Sequence, residues 1–135
     1  MASAGSTEAP VVTVRLKRAY DSPAASDGYR ILIDRLWPRG VSREKAHLDE
    51  WERELAPSTE LRRWFGHDPA RFSEFRRRYT EELSAQEDKL QELRRRARES
   101  TLTLVYGARD TEHNDAVVLA EILRDQGAPD QGRAS

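Results

Sequence analysis

The sequence predicts an α/β fold: a small three- to four-stranded, mainly parallel sheet flanked by helices in a single domain. Three observations point there. Stretches 11–17, 29–34 and 101–108 have strand character, through alternation or a short apolar run. The long interval 35–100 holds helix caps and apolar stripes at helical spacing. A further stripe follows the third strand, so strands alternate with helices, the order that builds a layered α/β sheet.

Residues 1–10 are rich in Ala, Ser, Gly and Thr and are expected to form a disordered tail. In VVTVRLK (11–17), Val12, Val14 and Leu16 point one way and Thr13, Arg15 and Lys17 the other, the period of a half-exposed edge strand. Pro23 and Gly28 mark a loop over 18–28. Residues 29–34 are apolar on both faces at Ile31-Leu32-Ile33, hence a strand buried on both sides. The first connection has no helical stripe and is close to the lower length limit for a parallel crossover, so an antiparallel first strand stays open.

Ser42 is placed to cap a short helix within 41–48. Leu48, Trp51 and Leu55 recur at helical spacing and predict a helical segment that Pro57 ends. Ser58 is a good N-cap for TELRRWF, with Gly66 as the stop. Asp68-Pro69 opens a helix over 69–83 with the stripe Phe72, Phe75, Tyr79 and Leu83. Ser84-x-x-Glu87 has capping-box form and predicts a break before a helix lined by Leu90, Leu93 and Ala97. In TLTLVYGA (101–108), Leu102, Leu104 and Tyr106 share one face, Thr103 and Val105 the other. Asp110 or Thr111 is expected to cap a last helix that turns Ala116, Leu119, Ile122 and Leu123 inward. Gly127 is expected to stop it. The domain then spans 11–126, and 127–135 is a loose tail.

Bulk properties exclude several classes. A chain of 135 residues has room for one core. Charged residues make up 35% and the net charge is −1, so no global field draws nucleic acid or anionic lipid. The arginine clusters at 62–63, 76–78 and 94–98 alternate with glutamates and read as solvated helix faces. With no cysteine, disulfides, thiolate metal sites and cysteine nucleophiles are all absent. The start of the chain lacks the apolar core of a signal peptide, and no apolar run is long enough to cross a bilayer. A cytoplasmic location is expected.

In parallel sheets, ligands bind beyond the carboxyl ends of the strands. That rule selects Arg18 and Tyr20, then Asp34, Arg35, Trp37 and Arg39, then Tyr106, Arg109 and Asp110. The start of the last helix, Thr111 to Asn114, would aim free N–H groups at the same crevice. Arg18, Arg35, Trp37, Arg39, Arg109 and Asn114 are therefore candidate ligand contacts. Asp34, Tyr20, Tyr106 and Asp110 are candidate proton handlers. Each has a structural reading as well: Asp34 and Arg35 as loop-fixing ion pairs, Trp37 as a loop anchor, Asp110 as a helix cap, the tyrosines as half-buried groups needing one partner. His47, His67 and His113 are scattered, with no metal-ligand spacing, and His67 reads as structural. No Gly-rich phosphate loop or nucleophile elbow is present, and nothing requires a cofactor.

Five stretches are similar to one family: LKRAYD (16–21), DGYRILIDRLWPRG (27–40), LDEWERELAPSTELRRWFGHDP (48–69), FRRRYTEEL (75–83) and TLTLVYGARDTEHNDAVVLAEIL (101–123). Through them the chain resembles the YeaO-like family of small bacterial proteins, domain of unknown function 488. The resemblance implies an α/β fold with a short parallel sheet and brings no established activity. More distant members look to carry Cys-His-Arg where this chain has Asn114-Asp115-Ala116, a departure that counts against cysteine chemistry here.

The functional expectation is a pocket for an anionic, phosphate- or nucleotide-like small molecule at the strand ends. The rivals are a protein-interaction module anchored by Trp37, Trp51 and Trp64, and nucleic-acid binding through the arginine helices.

Overall fold

A computed structural model describes residues 11–125. The elements run β1 (Thr13–Arg18), β2 (Tyr29–Leu32), α1 (Arg43–Ala46), β3 (Glu50–Trp51), α2 (Thr59–Phe65), α3 (Phe72–Leu83), α4 (Glu87–Glu99), β4 (Thr101–Tyr106) and α5 (Asp115–Arg124). The sheet order is β1-β4-β2-β3, and all three pairings are parallel. The open question about the first strand is thus closed: Thr13 lies opposite Thr101 and Arg18 opposite Tyr106, in parallel register. β1 is an edge strand, as its alternation implies.

Two apolar layers flank the sheet. On one face Val14, Ile31, Ile33, Leu102, Leu104 and Tyr106 meet the stripes of α2 to α5. That stripe in α3, Phe72, Phe75, Tyr79 and Leu83, is buried throughout. On the other face, among the described residues, only Ala19, Leu32 and Val105 form a buried group, covered by Trp37, Val41, Leu48 and Trp51. Burying one large aliphatic side chain is worth about 1.5–3 kcal/mol, so the helical face supplies most of the hydrophobic stabilisation.

The thin face is reinforced by polar contacts. Arg30 is buried and places Nη1 2.6 Å from Asp27 Oδ2. Its other nitrogens donate to the carbonyls of Ala46 and His47. Lys17 reaches Asp27 at 3.1 Å, and Thr103 Oγ1 donates to the Asp27 carbonyl at 2.7 Å. This network makes the helix-free crossover from β1 to β2 possible. A 3₁₀ turn at Ala25–Asp27 ends at Gly28, with φ 65° and ψ −128°, in a backbone region open essentially to glycine.

Several sequence expectations hold in detail. Ser42 caps α1 and Ser58 caps α2, while Gly66 ends α2 at positive φ. Asp68 caps a 3₁₀ turn, Pro69–Arg71, which runs straight into α3. Others need correction. Leu48, Trp51 and Leu55 do not lie on a helix: Glu50–Trp51 is a two-residue strand beside β2, and Arg53–Leu55 is a 3₁₀ turn. Backbone pairing with β2 outcompetes a stripe that has only three apolar points. The break at 84–86 exists as a 3₁₀ turn, but no capping box forms there. Ser84 Oγ donates backward to the Glu81 carbonyl instead. The last helix starts at Asp115, capped by Asn114, not by Asp110 or Thr111. It ends at Arg124, with Asp125 as C-cap, and the expected stop at Gly127 lies outside the described residues, as do the expected tails. Among the described residues no helix is long and apolar enough to cross a membrane.

Candidate functional site

The carboxyl ends of β2 and β4 face the start of α5 across a cavity of about 250 Å³. Asp34, Arg62, His67, Asp115, Phe65 and Phe75 line it. Local chemistry fixes each wall.

Asp34 leaves β2 with its position set at both ends. Its Oδ2 accepts the Gly107 N–H at 2.8 Å, and its carbonyl accepts Trp51 Nε1 at 2.7 Å. Beyond it, Arg35 donates through Nε and Nη2 to the Pro57 carbonyl, both at 3.3 Å. Trp37 Nε1 donates to the Val41 carbonyl at 2.6 Å, and the Trp37 ring meets Trp51 edge-on at 5.3 Å. Tyr20 OH holds the Arg39 carbonyl at 2.9 Å. The loop 34–40 is therefore pinned along its length.

Asp115 is the first residue of α5. Asn114 accepts the Val117 N–H at 2.9 Å and donates Nδ2 to the Asp110 carbonyl at 2.8 Å. Asp110 takes the Glu112 and His113 N–H groups and contacts His113 Nδ1 at 2.9 Å. The N–H groups expected to be free over 111–114 are thus partly consumed by Asp110, one turn before the helix begins.

The side chains of Asp34 and Asp115 hydrogen-bond to each other. Two carboxyl groups do so only while one keeps a proton. Burial pushes Asp34 up, and although the Asp115 hydrogen bond, the Gly107 N–H and the charges of His67 and Arg62 pull it back, it stays raised. Burial pushes Asp115 well above the ordinary carboxylate range, and the Asp34 charge adds to it. Nearby, burial and then the charges of Asp115 and Asp34 hold the Tyr79 phenol protonated. Burial also raises the Tyr106 phenol, against the pull of the Arg18 charge.

Arg62 supplies the opposite charge. α2 is anchored by Ser58, whose N–H and hydroxyl both donate to Glu82 at 2.8 and 2.6 Å. Arg62 then projects to the cavity, and its Nε is buried without a hydrogen-bond partner.

Of the residues singled out from sequence, Tyr20, Asp34, Arg35, Trp37 and Asn114 line the cavity, whereas Arg18, Arg39, Tyr106, Arg109 and Asp110 do not. Arg18 is used structurally, with Nε on the Ala108 carbonyl at 2.8 Å and its guanidinium over the Tyr20 ring. Arg39 and Arg109 are exposed. Asp115, Arg62 and His67 were not singled out as site residues. Asp115 had one legible signal: an acid directly after a good N-cap, Asn114. Among the described residues, no three His, Asp or Glu side chains gather as a metal site.

A family model described as "Inactive DUF488-N3 subclade" matches residues 13–135. The chain is similar to Uncharacterized protein YeaO of Escherichia coli (strain K12), at 45% identity over 84% of this chain and 98% of that protein. It is also similar to Uncharacterized protein Rv3073c of Mycobacterium tuberculosis (strain ATCC 25618 / H37Rv), at 41% identity over 82% of this chain and 92% of the relative. No solved structure matches it.

Proposed function

The chain belongs to the DUF488-N3 family, in the subclade described as inactive, and from that premise we propose that it binds an anionic small molecule without transforming it. The observation that supports this most directly is Arg62, a guanidinium at the cavity wall that makes no salt bridge among the described residues. An anionic oxygen in the cavity would meet that charge, and a hydrogen bond to a charged group is worth about 1.5–3 kcal/mol. Arginine is suited to that contact by its planar fork of donors. His67 stands on the same wall. Anion capture thus moves from Arg39, which points to solvent, to Arg62.

The rival readings have less support. Trp37 and Trp51 have their indole N–H groups bonded to backbone and pack against each other. Arg76, Arg77 and Arg78 each lie within 3.0 Å of a glutamate, so their charge is largely met by the protein itself.

Thermal-shift screening of phosphates, nucleotides and dicarboxylates against wild type and Arg62→Gln tests the proposal. Stabilisation of the wild type that falls at least tenfold in apparent affinity in Arg62→Gln supports it. No stabilising ligand, or an equal response from the variant, removes it.

A further inference from the structure

The acid pair and Arg62 share one cavity, and the charges of Arg62 and His67 act on Asp34, yet no salt bridge closes between them. Among the described residues neither Asp34 nor Asp115 has an ion-pair partner, and Arg62 has none either. The buried Asp27 contrasts with them, since Arg30 and Lys17 both pair with it. The carboxyl pair is nonetheless held firmly, with Asp34 fixed by Gly107 and Asp115 placed by the Asn114 cap. Phe65 and Phe75 line the same cavity and lower the local polarity, which strengthens charge interactions beside them.

Resting on the anion-binding reading, we infer that the ligand is a compact zwitterion, with an ammonium group between Asp34 and Asp115 and a carboxylate or phosphate at Arg62. One molecule of that chemistry bridges both charges. Size decides against larger anions: about 250 Å³ lies below the roughly 300–1,000 Å³ of pockets for drug-sized ligands, too little for a whole nucleotide. The ammonium replaces the proton that the two carboxyl groups hold between them, so binding releases a proton. The titratable and charged groups around the pair are Arg62 from α2, His67 from the loop after it, and Arg35 and Tyr20, which line the cavity, with the Tyr79 and Tyr106 phenols behind its wall. Burial keeps both tyrosines protonated at neutral pH. A His67→Gln variant separates the imidazole from the pair as the source of the proton.

Calorimetric titration of the full chain tests this with four probes: inorganic phosphate, ethanolamine, O-phosphoethanolamine and β-alanine. One of the two zwitterions is expected to bind at least tenfold more tightly than phosphate or ethanolamine, and which one does so assigns the anionic group. Repeating the titration in buffers of different ionisation enthalpy should show proton release, retained in His67→Gln. Asp115→Asn is expected to lose the zwitterion advantage while keeping phosphate binding, with Asp34→Asn as the second variant if the first misfolds. A zwitterion no tighter than phosphate, proton uptake, or an advantage that survives both asparagine variants overturns the inference and leaves the anion pocket standing. Absent binding of every anion-bearing probe, or binding untouched by Arg62→Gln, overturns the anion reading and this inference together.

Discussion

The Gly107 N–H donates to Asp34 Oδ2 at 2.8 Å and so ties the end of β4 to the end of β2 at the cavity floor. A Cβ at residue 107 would stand 3.3 Å from that oxygen and 3.8 Å from Pro38 Cβ. The bare α-carbon is what lets the two strand ends approach.

Gly107→Ala therefore acts on the site more than on the fold. Only one carboxylate oxygen must yield, so urea denaturation should show a loss of about 1 kcal/mol, the low end for an overpacked contact. Ligand affinity should fall about tenfold, because Asp34 turns away from Asp115. A stability loss with unchanged affinity would show that Asp34 is not held by this contact.

The acid pair makes stability depend on pH in a direction opposite to most carboxylates. The folded protein holds Asp34 and Asp115 above their ordinary range, so it binds more protons than the unfolded chain. The pair's contribution is fully present below the unfolded value, about 3.9, and is lost as pH rises through the folded value. Asp115→Asn should thus raise the melting temperature at pH 7, and the gain should shrink as pH drops below about 4. A gain that grows toward acid pH would contradict a shared proton.

Asp27 behaves the other way. Burial pushes its carboxyl up, but the Ala24 N–H, Lys17 and Arg30 outweigh this and hold it below the ordinary value. Its stabilising contribution is present above the unfolded value and lost as pH falls through the folded one. Arg30→Met leaves that buried charge half matched and two carbonyls unmet, at a cost of about 3–5 kcal/mol in chemical denaturation. The double variant with Asp27→Leu should cost less than the two single changes added, since the residues are in contact.

Gly28→Ala should be among the most damaging small changes. The new Cβ would sit 2.3 Å from the Thr101 carbonyl oxygen, and φ is +65°. Backbone strain alone is worth about 1–3 kcal/mol, and β4 must shift as well. A drop of about 3 kcal/mol or more in urea midpoint analysis is expected. A neutral result would mean that the crossover and β4 can separate freely.

Sequence reading reached the fold where periodicity survives in the structure. Phe72, Phe75, Tyr79 and Leu83 keep helical spacing, and Leu102, Leu104 and Tyr106 keep strand alternation, because both sets face one continuous core. Trp51 was illegible because a two-residue strand has no period of its own; its partner Leu32 creates it. At the site, the loop 34–40 announced itself by composition, but its arginines did not reveal their use. Arg35 grips a carbonyl, whereas Arg62, in a run that reads as a solvated face, turns inward. Asp115 becomes chemically distinctive only beside Asp34, 81 positions earlier in the chain, and no local pattern encodes that meeting.

β4 lies between β1 and β2 although it is the last strand to be made. During synthesis the first two strands have no partner in each other, and the edge of β2 that β4 will occupy stays unpaired until residues 101–106 leave the ribosome. The sheet then closes in one late event, with β4 clamping both neighbours at once. Loop-closure entropy across that separation slows this step. A chain broken off before residue 101 would present two unpaired strand edges and is expected to aggregate rather than form a smaller version of the fold.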